Sequence, residues 1–128
     1  MKTLLSISIA ILFCSLKPMN LKEQDLPELE FESKSIDLGE IKINSETKGK
    51  YIFTNNGKVP LIIKEVKPHC GCTVASYTET PILPKKQGYI NFVYTAPSTP
   101  QQIKKIIVVS ANTREKSYLL KIVAKVKK

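Results

Sequence analysis

The residues whose types and spacing could do chemistry meet at one step, Cys70-Gly71-Cys72, preceded by His69, the only histidine of the 128-residue chain. In an extended strand, residues two apart point to the same side. Their Cα atoms would lie roughly 6.5–7 Å apart, the outer limit for a disulfide. Gly71 can adopt positive φ, and a kink there would bring the two sulfurs together. Three chemistries follow. A strained Cys70–Cys72 disulfide is easily reduced and suits thiol–disulfide exchange. That role needs a thiolate near neutral pH, which Lys67 and His69 would favour. Two thiolates and the His69 imidazole suit a soft ion such as Cu(I) at low coordination. The structural alternative is a short staple at a strand edge, or two thiols that act as small buried hydrophobes. His69, beside Pro68 in an expected turn, also reads simply as a polar surface residue. All three readings remain open, and no cofactor other than Cu(I) is expected. Zinc is not expected, because a structural site wants four ligands and the sequence has no second cysteine pair and no other histidine.

Other function classes fail on inventory. A Ser or Cys nucleophile needs a histidine base held by a third group, and no catalytic residues can be assigned. No Gly-rich phosphate loop is present. Glu23, Asp25, Glu28, Glu30 and Glu32 read as a solvated acidic segment. The formal net charge of +9 raises the question of nucleic acid. Lysine dominates, however, and Arg114 is the only arginine, whereas base and phosphate recognition favours arginine forks. The lysines scatter along the chain apart from Lys125, Lys127 and Lys128. They read as a solvated basic surface compatible with an acidic partner or an anionic envelope surface, and no nucleic-acid partner is expected.

The elements that must position the cysteines begin after a targeting segment. Met1-Lys2 and the apolar run from Leu4 to Phe13 match a secretory signal peptide over residues 1–17. The run is too short to span a bilayer. Cys14 is a candidate for lipidation, although the large Phe13 before it departs from the small residue such sites prefer. Residues 18–29, with two prolines and several charges, read as a linker. The chain is therefore expected outside the cytoplasm: periplasmic, secreted, or lipid-anchored to the envelope.

From about residue 30 to 128, short β-favouring runs alternate with Gly, Pro and Asn signals. Tyr118, Leu120, Ile122, Ala124 and Val126 share one face, with Lys121 and Lys125 on the other. Ile90, Phe92 and Tyr94 alternate within 89–95. The consecutive Ile106-Ile107-Val108-Val109 reads as a strand buried on both faces. Further runs cover 50–54, 61–66 and 72–77, with one or two around Phe31 and Ile36–Gly39. The pattern is all-β, a sandwich of seven or eight strands preceded by the signal helix.

Phe31 with Asp37-Leu38-Gly39-Glu40-Ile41, Tyr51-Ile52-Phe53-Thr54-Asn55-Asn56-Gly57, Pro60-Leu61-Ile62-Ile63, Cys70-Gly71-Cys72-Thr73 and Gly88-Tyr89-Ile90 carry a resemblance. In that order they resemble a bacterial exported family of unknown function. That family looks like a distant relative of the immunoglobulin-like domains of major sperm protein and of the abnormal-spindle/hydin type. The usual Pro-Gly before a later strand is here Pro84-Lys85-Lys86, and Ser110-Ala111-Asn112 interrupts what is commonly Ser-Asn. The resemblance implies an immunoglobulin-like sandwich and export, and no activity. The functional expectation is a non-enzymatic module that binds a protein partner or serves as a scaffold. The alternative is a redox or Cu(I)-handling protein centred on Cys70 and Cys72. A membrane would enter only through an N-terminal lipid anchor. Neither partner identity nor oligomeric state is legible.

Overall fold

The computed structural model describes residues 25–69 and 71–128. The signal segment, Cys14, most of the linker and Cys70 lie outside the described residues. Eight strands follow one another: β1 (Leu29–Phe31), β2 (Ser35–Lys42), β3 (Glu46–Asn55), β4 (Ile63–Pro68), β5 (Cys72–Tyr77), β6 (Gln87–Thr95), β7 (Gln101–Ala111) and β8 (Ser117–Lys127). They form two four-stranded sheets, ordered β1-β3-β6-β5 and β2-β8-β7-β4. This is the A-B-E-D against C-F-G layout of an immunoglobulin-like sandwich, with the first strand divided between the sheets. β2 runs parallel to β8, whereas the other strand pairs are antiparallel.

Alternation explains the layers. Along β8, Tyr118, Leu120, Ile122, Ala124 and Val126 are buried while their neighbours face outward. β6 buries Ile90, Phe92 and Tyr94 in the same way, against Tyr51 and Phe53 of β3. β7 departs from expectation. Ile107 and Val109 are fully buried, but Ile106 and Val108 are only half-buried on the outer face. Among the described residues no layer covers that face, because they form two sheets and β7 lies inside one of them. Leu29, placed in the linker by composition, is the first residue of β1 and is buried.

One polar side chain sits at the centre of this packing. Asn55 is 0% exposed. Its amide donates to the carbonyls of Val59 at 2.8 Å and Ile82 at 2.9 Å. Its oxygen accepts from the amides of Gly57 at 2.9 Å and Glu28 at 3.3 Å. All of its hydrogen-bonding capacity is used, so its burial carries no orphaned group. A second tie crosses the core, where the Tyr51 hydroxyl donates to the Lys121 carbonyl of the opposite sheet.

The departure at Pro84-Lys85-Lys86 keeps the turn that glycine would make. Lys85 has φ of 69°, its amide donates to the Asn55 carbonyl at 2.7 Å, and Lys86 returns a carbonyl to the Asn55 amide at 3.0 Å. Left-handed backbone costs a side-chain-bearing residue about 1 kcal/mol, partly offset by its smaller unfolded-state entropy relative to glycine. Lys85→Gly should therefore stabilise the fold by about 0.5 kcal/mol in urea unfolding. A clear loss of stability would refute a strained lysine. Asn55→Asp removes two donors and sets a carboxylate against two carbonyls. We expect a loss of about 3 kcal/mol at neutral pH, read by the same titration.

Candidate functional site

Pro68 ends β4, and the chain must then leave one sheet for the other, since β4 and β5 belong to different sheets. The crossing is a tight turn. The His69 carbonyl accepts from the Cys72 amide at 3.1 Å, and Gly71, third in the turn, has φ of 88°. Positive φ at the third residue of such a turn favours glycine. A Cβ on Gly71 would also approach the Tyr94 ring to 3.2 Å. β5 starts at Cys72, as the run 72–77 leads one to expect, and the kink allowed for at Gly71 is a left-handed turn. The physical reason is the change of sheet.

The turn is held on both sides. The His69 amide donates to the Ile106 carbonyl of β7 at 3.1 Å, and the Thr95 amide donates to the Gly71 carbonyl at 2.9 Å. Cys72 faces inward as a buried free thiol. His69 is exposed, so the two side chains do not share an environment. Lys67, expected beside the thiols, lies on the surface 3.6 Å from Glu65. Among the described residues, no group of three His, Cys, Asp or Glu side chains could hold a metal ion.

The cation that acts on Cys72 is Lys105. Burial pushes the Cys72 thiol above its ordinary value, and the Lys105 ammonium pulls it partly back. Burial first, and the neighbouring Cys72 second, push the Tyr51 and Tyr94 hydroxyls up as well. Lys105 faces inward because it is in phase with Ile103, Ile107 and Val109. Sequence reasoning missed it, although counting by twos along this run would have found it.

Beside the turn lies a groove of about 550 Å³, lined by Val66 and Pro68 of β4, by the residues of β5, and by Glu79. β4 and β5 are both sheet edges, and they lie at the same side of the sandwich. Among the edge strands β5 stands apart. β1 carries Glu30; β2 carries Asp37, Glu40 and Lys42; β4 carries Lys64, Glu65, Lys67 and Pro68; β5, Cys72-Thr73-Val74-Ala75-Ser76-Tyr77, carries no charge and no proline. Charges and prolines are the usual guards of an unpaired edge. A bulge between Val74 and Ser76 is the guard that β5 keeps.

A raised thiol value has two measurable consequences. In a Cys14→Ser, Cys70→Ser background, the pH midpoint for alkylation of Cys72 should lie above that of the unfolded chain. Lys105→Met should raise it further, whereas a midpoint below the unfolded value would overturn the assignment. With the folded value above the unfolded one, this thiol's contribution is complete below the unfolded value. It is lost as pH rises through the folded value, so stability should fall on the alkaline side.

No curated protein matches this sequence. Among solved structures, a Porphyromonas gingivalis W83 protein of unknown function is 19% identical with a TM-score of 0.67, over 79% of this chain and 47% of that one. The chain thus spans about half the length of that relative. The ASH / PapD-like domain 7 of human CEP192 is 7% identical with a TM-score of 0.61, over 80% of this chain and 87% of that one. The secreted serine protease VesC of Vibrio cholerae is 12% identical with a TM-score of 0.59, over 80% of this chain and 23% of that one. At such identities the likeness is one of fold. Residues 29–126 match the family model described as protein of unknown function DUF1573, and the chain belongs to that family.

Proposed function

We propose that this domain is a non-enzymatic protein-binding module that accepts an extended partner segment along the free edge of β5. The observation that carries the reading is the uncharged, proline-free β5 edge beside the open groove. Strand addition takes its affinity from backbone hydrogen bonds and its selectivity from side-chain pockets along the edge. Backbone groups here are available in a definite pattern. The Gly71 carbonyl accepts from Thr95, so Gly71 and Thr73 pair with β6 while the Val74 amide faces outward. Val66 and Pro68 give the groove an apolar wall for a partner side chain. The export signal read in residues 1–17 puts such a module in the cell envelope or outside the cell.

A second reading keeps the thiols. Lys105 favours it, since an inward ammonium near Cys72 is what a reactive thiol would use. The net upward displacement of Cys72 runs against it. The reduction potential of Cys70 and Cys72 discriminates: a reversible couple at about −120 to −230 mV supports exchange, and one below about −300 mV a structural staple.

Peptides selected for binding from a display library test the strand-addition reading. Val74→Pro removes an outward amide and leaves the β6 ladder in place. It should abolish binding, whereas Val74→Ala, which gives up the same packing against the core and keeps the amide, should retain it. Thr73→Lys, which puts a charge on the edge, should weaken the same peptides. Peptides that bind Val74→Pro and Thr73→Lys as well as the parent would sink the proposal.

A further inference from the structure

Six of the lysines that scatter along the chain gather on the outer face of the β2-β8-β7-β4 sheet. β8 sends Leu119, Lys121, Val123, Lys125 and Lys127 outward. β7 adds Gln102, Lys104, Ile106 and Val108. Strand register interleaves the two kinds: Lys121 lies opposite Ile106, Val123 opposite Lys104, and Leu119 opposite Val108. Lys67 joins from β4, opposite Val108, and Lys42 joins from β2, opposite Lys127.

Six lysines thus share the face with three carboxylates, Asp37, Glu40 and Glu65. The carboxylates are at its margins. Glu40 lies 2.6 Å from Lys127 on the β2 side, and Glu65 lies 3.6 Å from Lys67 on the β4 side. Asp37 accepts from the Gly39 amide at 2.8 Å. Lys104, Lys121 and Lys125 remain as the excess positive charge on the two central strands. Leu119, 56% exposed, and the half-buried Ile106, Val108 and Val123 fill the spaces between them.

We propose that this face docks on an anionic lipid surface. Lysine ammoniums would stand at the level of the lipid phosphates, and Leu119 with its aliphatic neighbours would enter the headgroup region. Alternating lysine and aliphatic side chains on a broad sheet repeat, in β form, the basic amphipathic surface of interfacial helices. The long lysine stems let the charge reach outward while the apolar groups descend. What the face lacks selects this partner. It carries no arginine and no aromatic residue, the types that dominate protein-binding hot spots. Arginine forks are likewise the means of base recognition. Lysine point charges on a sheet suit a diffuse plane of negative charge, in which each contributes independently.

The test is co-sedimentation of the full chain at low salt with two vesicle types, pure phosphatidylcholine and phosphatidylcholine containing phosphatidylglycerol. The neutral vesicles set the baseline for any binding by the apolar N-terminal run. Phosphatidylglycerol should tighten binding about a hundredfold or more, and added salt should reverse the gain. Lys104→Glu with Lys121→Glu should lower affinity for the anionic vesicles roughly a hundredfold. Lys48→Glu with Lys50→Glu changes net charge equally on the opposite sheet and should retain most of the binding. Matching melting curves establish that both variants are folded. No preference for phosphatidylglycerol, or equal losses in the two variants, would overturn the proposal. Binding to polyglutamate that fails in Lys104→Glu with Lys121→Glu, without a vesicle preference, would overturn it in favour of an acidic protein.

Discussion

The fold depends on a buried amide. Asn55 ends β3 at zero exposure, and its four hydrogen bonds reach the entry to β1, the loop after β3, and Ile82. These segments are distant in sequence and have few strand partners of their own. An apolar residue there would pack, but it would leave the Gly57 and Glu28 amides and the Val59 carbonyl without this partner, while the Ile82 carbonyl would keep only the Leu61 amide. The cost of an unmade bond at such a site exceeds the modest net gain of a made one. The amide therefore specifies as much as it stabilises: one arrangement of these segments satisfies every group.

Chain crossing is the second constraint, and it decides what the Cys-Gly-Cys step can be. β4 closes one sheet and β5 closes the other, so the connection must turn through the edge of the sandwich. Pro68 stops the first strand, and Gly71 supplies the left-handed turn. That turn separates the fates of neighbouring residues. His69 goes to the surface, and Cys72 goes into the core opposite an inward lysine. Topology thus places the thiol in the core, apart from His69 and Lys67 on the surface. Burial and the Lys105 charge oppose each other there, and burial prevails.

How much of this was legible depends on the range of the interaction. Period-two alternation lies within one strand, so β6 and β8 could be read directly from residues such as Ile90, Phe92, Leu120 and Ile122. The run from Ile106 to Val109 misled because four aliphatics in a row do not say how many layers will cover them. Asn55 looked like a turn residue, and it is one: its oxygen accepts from Gly57 two positions on. Its burial, however, depends on Val59 and Ile82, which local pattern cannot bring to it. Lys105 was legible in phase but not in consequence, because its neighbour Cys72 belongs to the other sheet. The clustering of lysines required register, which pairs β8 with both β2 and β7.

The same topology keeps the two proposed surfaces apart. The basic face is the outside of one sheet, while the uncharged edge of β5 closes the other. A molecule lying on lysines 104, 121 and 125 would leave that edge beside the surface rather than beneath it. Edge protection sharpens the point. β4 borders the same groove and carries lysine, glutamate and proline, so of the two edges there one is guarded by charge and the other only by its bulge. If both edges were guarded, the groove would be only a gap where two sheets fail to close. If both were open, the chain would invite pairing with its own copies. An extended segment added as proposed would find one uncharged edge, and the charged neighbour on its flank would discourage indiscriminate association.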